Sequence, residues 1–379
     1  MCAGALTLLL CELAPGQPSP VAADTAAATG FEWSLPRGFP QPFVPAGNPI
    51  TTGKVALGRV LFFEPRLSIN GQMSCSTCHR PELAFTDGRP RAVGATGQQH
   101  PRSAMSLANV AYNVAFTWAD PSFDSLEAQV LQPMYNEHPV EMGLTGRESS
   151  VIAALRTDPR YPPLFAGAFP GDPDPISIAN VARALASFER TLISGRSAFD
   201  RYVFDDERSA LGAAAKRGMA LFYSARIGCA QCHSGINFSG PIRMSRVPAA
   251  QAEYANTGLY NVDGRGAYPP DAPGIRSVTG KSQDEGRFRV PTLRNIAVTA
   301  PYMHDGSIAT LPEVIDHYSV GGRQAPLGPH DGNALKDTRI RAFQVSEQEK
   351  ADLVAFLESL TDEAFLQDPR YRTSQPGPR

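Results

Sequence analysis

The chain has 379 residues, 42% hydrophobic and 19% charged, which is the balance of a globular protein long enough for two domains with cores of their own. A formal net charge of −2 supplies no basic surface for nucleic acid. No segment reaches the roughly 18 consecutive apolar residues of a membrane span.

In chain order, residues 1–23 read as a signal peptide. They hold an apolar run at 5–10 and a small-residue exit at Val21-Ala22-Ala23, but lack a basic start, so the leader is expected to be truncated. Cys2 and Cys11 fall inside it. The other four cysteines occur as two pairs, which leaves no spare thiol and suits an oxidising periplasm. Apolar residues at helical spacing predict helices over 51–63, 149–156, 176–193 and 209–223. Ser346-Glu347-Gln348-Glu349 is a capping box that opens a last helix carrying Leu353, Phe356, Leu357 and Leu360 on one face. Regular strand alternation is scarce, and most of the 34 Pro and 33 Gly fall in connections such as 170–175 and 264–274. The expected fold is therefore mainly α with long ordered loops. A boundary is expected near 194–208, where Asp205-Asp206-Glu207 reads as a solvated linker.

The most informative residues are two CxxCH motifs, Cys75-Ser76-Thr77-Cys78-His79 and Cys229-Ala230-Gln231-Cys232-His233. Each offers two thiols for thioether bonds to haem vinyl groups and an imidazole for the iron, so two covalent c-type haems are expected. A redox CxxC or a zinc site shared by the two pairs would use the same residues. The surroundings favour haem: Gly58, Leu61, Phe62, Arg66 and Leu67 before the first motif recur as Gly218, Leu221, Phe222, Arg226 and Ile227 before the second. That recurrence predicts an internal duplication of a cytochrome c-like unit, with a first haem domain at 24–200 and a second at 201–379.

Val290-Pro291-Thr292-Leu293-Arg294-Asn295 and Thr299-Ala300-Pro301-Tyr302-Met303-His304-Asp305-Gly306 resemble the signature of the dihaem cytochrome c peroxidase and MauG superfamily. The resemblance continues through Phe85-Thr86-Asp87-Gly88, Asn109-Val110-Ala111-Tyr112-Asn113, Pro139-Val140-Glu141-Met142 and Phe188-Glu189-Arg190-Thr191-Leu192. Phe31-Glu32-Trp33-Ser34-Leu35-Pro36 and Arg102-Ser103-Ala104-Met105-Ser106-Leu107 look most like the MbnH branch, whose members act on a partner protein.

The resemblance implies different tasks for the two haems. The one on His79 would be open to hydrogen peroxide, with Gln129 and Glu141 matching the distal Gln and Glu of the family. The one on His233 would take Tyr318 as its second axial ligand, where ordinary peroxidases of this kind use a Met. No Met follows Met303, and Thr310 to Glu313 is a capping box opening the helix that carries Tyr318. A phenolate favours oxidised iron more than a thioether does. Trp118 matches the indole between the haems, and Thr299 and Pro301 match carbonyl ligands of a calcium ion whose Asn ligand is replaced here by Ser103. Read from composition alone, Trp118 and Tyr318 would be core aromatics, Glu141 a capping carboxylate, and His100, His138, His317 and His330 hydrogen-bonding residues. Ile227 stands where MauG has a surface Trp.

The activity implied is a periplasmic dihaem oxidoreductase in which peroxide generates a bis-Fe(IV) state that converts Trp to kynurenine on a small MbnP-like protein. The alternatives are a cytochrome c peroxidase fed by a small cytochrome, and a dihaem electron carrier without catalysis.

Overall fold

The computed structural model describes residues 30–245, 247, 251–323 and 333–372. The expected leader, with Cys2 and Cys11, and His330 lie outside the described residues. The chain is mainly helical. In its first half come α1 (Thr52–Phe62), α2 (Cys75–Cys78), α3 (Leu126–Tyr135), α4 (Glu148–Thr157), α5 (Tyr161–Ala168), α6 (Ile178–Glu189) and α7 (Ala198–Phe204). The second half adds α8 (Ala213–Phe222), α9 (Arg276–Thr279), α10 (Leu311–Ser319), α11 (Glu347–Glu358) and α12 (Glu363–Leu366). Two short strands, β1 (Tyr254–Ala255) and β2 (Phe288–Arg289), pair antiparallel with Tyr254 opposite Arg289.

Each half is built on one close helix crossing. Thr51 caps α1 by accepting from the Lys54 N–H at 3.2 Å, and Ser177 caps α6 in the same way through Asn180. The two helices touch at Gly58, where a Cβ would lie 2.0 Å from the Ala184 carbonyl oxygen and 2.9 Å from the Phe188 Cβ. In the second half α8 meets α11 at Gly218, where a Cβ would lie 1.8 Å from the Asp352 carbonyl oxygen and 2.9 Å from the Phe356 Cβ. Only glycine lets backbones approach this closely. Arg217 then clamps the second crossing through Asp352 at 2.6 and 2.7 Å.

A second pair of contacts recurs. Asn109 and Asn295 both adopt left-handed backbone, φ 59° and 60°, and each starts a short 3-10 turn. The Asn109 N–H donates to the Leu192 carbonyl at 2.8 Å, and the Asn295 N–H to the Leu360 carbonyl at 3.1 Å. Both side chains converge on Ser194, which donates its N–H to Asn109 Oδ1 at 2.8 Å and receives Asn295 Nδ2 on its hydroxyl at 3.0 Å.

The apolar cores do not simply follow chain order. Leu57, Phe62, Phe85, Leu155, Phe165, Phe188 and Leu192 form one cluster, into which Phe365, Leu366 and Tyr371 from the far end of the chain also pack. Phe199, Phe222, Phe238, Phe288, Leu353 and Phe356 form another, joined by Ala115 and Ala119 from the first half.

The predicted helices are present, with ends moved by capping. The segment expected from 209 begins at Ala213 because Gly212 forms its cap, and the Ser346 and Thr310 capping boxes are both made. The stretch 194–208 differs from a plain linker. Its acidic run is exposed, but it includes α7, whose Ser197 and Asp200 form a buried capping box, and Asp200 holds Arg294 at 2.7 Å. Gly195 and Arg196 donate their N–H groups to Asp362 at 2.9 Å each.

Candidate haem sites

In the first CxxCH motif the single turn α2 carries both thiols, and its last bond runs from the His79 N–H to the Cys75 carbonyl at 2.9 Å. The second is a 3-10 turn over Cys229–Gln231 with the matching bond, His233 N–H to Cys229 carbonyl, at 3.0 Å. Both imidazoles are fixed by the same device. His79 Nδ1 lies 2.8 Å from the Phe85 carbonyl and His233 Nδ1 lies 2.9 Å from the Phe238 carbonyl. A carbonyl only accepts, so each Nδ1 carries the proton and each Nε2 presents a lone pair to a metal. Burial also holds both imidazoles below the usual histidine range, which keeps them neutral. Phe85 and Phe238 turn their carbonyls inward from positive φ, 64° and 49°. The four thiols form no disulfide, and burial pushes Cys75, Cys78 and Cys229 up to about 12 and Cys232 to about 11.

Cys229, Cys232 and His233 open onto a cavity of about 1910 Å³, its mouth included, which Tyr318 and Trp118 also line. Tyr318 projects from α10, the helix started by Leu311 behind the Thr310 cap. Burial, with Cys229 and Cys232 adding to it, pushes its phenol well above the usual tyrosine range. Its side chain nevertheless keeps some exposed surface, and it lines the cavity. A phenol raised in this way keeps its proton unless a cation in the cavity favours the phenolate.

Two further side chains that line this cavity each leave a polar atom without a partner among the described residues. His304 is buried, stacks on Phe288 with centroids 3.7 Å apart, and leaves Nε2 unbonded. Arg289 is buried, and its Nε is unbonded too. Unpaired polar atoms around a large apolar hollow fit a group that is mostly hydrocarbon with charged edges, as haem is.

Trp118 sits between the halves. Its indole N–H donates to the Ser103 carbonyl at 3.0 Å, and its own carbonyl accepts from the Arg289 N–H at 2.8 Å. Ser103, Thr299 and Pro301 line the same cavity. Among the described residues no group of three or more His, Cys, Asp or Glu is arranged to hold a metal ion, so a cation there would rest on carbonyl and hydroxyl oxygens.

On the side of the first motif, Glu141 accepts from Asn136 Nδ2 at 2.9 Å and lies 3.6 Å from His100 Nε2. Burial raises its carboxyl above the ordinary range, against the lowering by Asn136. It lies near enough to the first motif for its charge to raise the Cys78 thiol further. Gln129 is on α3, whose C-cap is Asn136, so one helix sets the positions of Gln129 and of the donor to Glu141. The structure does not join Gln129 to Glu141 by a hydrogen bond. His100 takes the Arg102 N–H on Nδ1 at 3.2 Å, and burial lowers it to about 4, so it is neutral with its proton on Nε2. His138 is exposed, and His317 is buried with Nε2 at 3.2 Å from the Thr257 carbonyl.

Sequence reasoning missed Arg289, Asn136 and the orphaned His304. Arg289 had one legible signal, a charge flanked by Phe288 and Val290 just before the proline of the signature.

A family profile described as di-haem cytochrome c peroxidase matches residues 52–208. The methylamine utilization protein MauG of Methylorubrum extorquens is 38% identical over 366 residues, 96% of this chain and 93% of that one. The cytochrome c551 peroxidase of Pseudomonas aeruginosa is 34% identical, covering 83% of this chain and 80% of its own. Among solved structures, a MauG-like protein associated with microbial copper homeostasis superposes with a TM-score of 0.87 at 43% identity, over 90% of this chain and 99% of that one.

Proposed function

We propose, for a chain that belongs to the dihaem cytochrome c peroxidase and MauG family, that it uses hydrogen peroxide to oxidise a tryptophan of a small periplasmic partner protein to kynurenine. The family is one of haem-dependent oxidoreductases with c-type haem, so a purely electron-carrying role is set aside. The observation that carries the proposal is Tyr318, a largely enclosed phenol lining the cavity of Cys229, Cys232 and His233. An oxygen donor there, where no thioether is offered by any residue after Met303, favours retention of oxidising equivalents over their rapid relay.

Bound haems would supply the redox chemistry, held by His79 and His233 and tethered by the four cysteines. The residues around them supply the rest. Glu141, held by Asn136, would move a proton between the two oxygens of peroxide, and Gln129 would orient the molecule. Trp118 bridges the two sites. Thr299, Pro301 and Ser103 hold a calcium ion through oxygen atoms. The matching glycine crossings and asparagine turns support residues 24–200 and 201–379 as two copies of one haem-binding unit. Periplasmic residence agrees with the chemistry of haem attachment, and among the described residues no helix is long and apolar enough to cross a membrane.

The second reading is a peroxidase that draws electrons from a small cytochrome, favoured by the 34% identity to cytochrome c551 peroxidase. Incubation of the dihaem protein with peroxide and a candidate partner, followed by mass spectrometry of the partner, separates the two. Conversion of a partner Trp to kynurenine supports the proposal. Rapid oxidation of a reduced small cytochrome with the partner unmodified supports the second reading.

A further inference from the structure

We infer that Arg289 is the anchor for a carboxylate of the haem attached at Cys229 and Cys232, and that this pairing fixes the haem edge against the segment carrying Trp118. The inference rests on the dihaem reading and extends it to a residue outside the CxxCH motifs.

Arg289 closes β2 and is 7% exposed. Its guanidinium has five N–H donors, yet its protein partners are few. Nη1 donates to the Ala115 carbonyl at 3.1 Å, Nη2 reaches only the Met105 sulfur at 3.8 Å, and Nε has no partner. Among the described residues no Asp or Glu forms an ion pair with it. The other deeply buried guanidiniums of this protein behave differently. Arg294 pairs with Asp200 at 2.7 Å and Arg190 pairs with Glu127 at 2.7 Å. A buried cation without a counter-charge is strongly unfavourable, so a protein that neutralises Arg294 and Arg190 has a reason for leaving Arg289 open. Burial lowers its pKa to about 10, which still leaves it charged at neutral pH.

The residue borders the right place. Arg289 lines the same cavity as Cys229, Cys232, His233 and Tyr318. A haem tethered there brings two carboxylates on its edge, and a planar guanidinium is the group best matched to a carboxylate. The Arg289 backbone N–H meanwhile holds the Trp118 carbonyl at 2.8 Å, and Nη1 holds Ala115 three residues earlier. One residue therefore touches both the Trp118 segment and the haem edge. It is a positioning residue, and it also neutralises a charge that would otherwise favour the oxidised iron.

The test uses the holoprotein with Arg289→Gln and Arg289→Lys. Haem count comes from intact mass, the midpoint potential of the low-spin haem from spectroelectrochemistry, and stability from melting temperature. Arg289→Gln should keep two covalent haems and lower the midpoint potential of the low-spin haem, and Arg289→Lys should recover most of that shift. A wild-type potential in Arg289→Gln, whatever happens to its melting temperature, overturns the inference and leaves Arg289 bonded only to protein. If the Gln variant does not accumulate, resonance Raman of the wild type decides. A propionate-bending band of the low-spin haem that shifts in deuterium oxide supports the pairing, and an insensitive band overturns it. Wild-type protein with fewer than two haems would instead sink the dihaem reading itself.

Discussion

Trp118 and Ser103 are joined by an indole N–H to carbonyl bond of 3.0 Å, and Ser103 passes the connection on by donating its N–H to the His304 carbonyl at 2.8 Å. The indole is thus tied at one edge to the loop that closes the first half and at its backbone to β2 of the second. An aromatic ring fixed in that way has a constant distance and angle to both sites, which is what charge transfer between them requires.

Trp118→Phe should therefore uncouple the sites without emptying them. The variant should keep both haems and still react with peroxide, but lose the near-infrared band of coupled oxidised haems and modify the partner at least about tenfold more slowly, the equivalent of ~1.4 kcal/mol in barrier. Stability should fall by on the order of 1–3 kcal/mol, from the smaller ring and the unbonded Ser103 carbonyl. A destabilised protein that retains the band would show Trp118 to be packing alone.

Tyr318→Phe removes one oxygen from the wall of the cavity at Cys229 and His233 and little else. The low-spin spectrum should change, and the oxidised state should decay before the partner is modified. An unchanged low-spin spectrum would remove Tyr318 from the ligand set.

Glu141→Gln preserves size and the bond from Asn136 while abolishing proton transfer, so reaction with peroxide should slow by roughly 10² to 10⁴. In the wild type the working form is the carboxylate. Burial raises its pKa, so the rate should fall as pH drops through a value above the ordinary glutamate range. Stopped-flow rates against pH for both proteins test this, and an acid limb that persists in Glu141→Gln would assign it to another group.

Gly218→Ala places a methyl 1.8 Å from the Asp352 carbonyl oxygen and should force α8 away from α11, at a cost of about 1–3 kcal/mol. Gly167→Ala, in α5 with nothing within 4 Å of the added Cβ, should instead stabilise by up to about 1 kcal/mol. Thermal melts of the two variants should move in opposite directions.

What the sequence revealed depended on how local the governing contact is. The CxxCH motifs declare themselves because haem attachment needs residues adjacent in the chain. The Ser346 and Thr310 caps are equally local. Helix α3 was not legible because Pro133 lies inside it, and α5 because it starts on Tyr161-Pro162-Pro163. Arg289 and Asn136 matter through what they face in three dimensions, and nothing in their immediate neighbours says whether a carboxylate completes the environment. The recurrence of Gly58 as Gly218 was visible as a repeat, but its cause, two helix crossings too close for a side chain, belongs to partners more than a hundred residues away.

Tyr371 donates its hydroxyl to the Thr191 carbonyl at 2.6 Å, and with Phe365 it packs on Phe85, whose carbonyl orients His79. The wall behind the first imidazole is thus completed by Phe365 and Tyr371, far downstream of the motif in the chain. While the chain emerges, its first CxxCH motif must wait, unfinished, until residues 365–371 follow. That delay would give the attachment machinery an interval in which to reach Cys75 and Cys78 before the wall closes. Removing the residues from 363 onward should leave the older half of the molecule the less finished one.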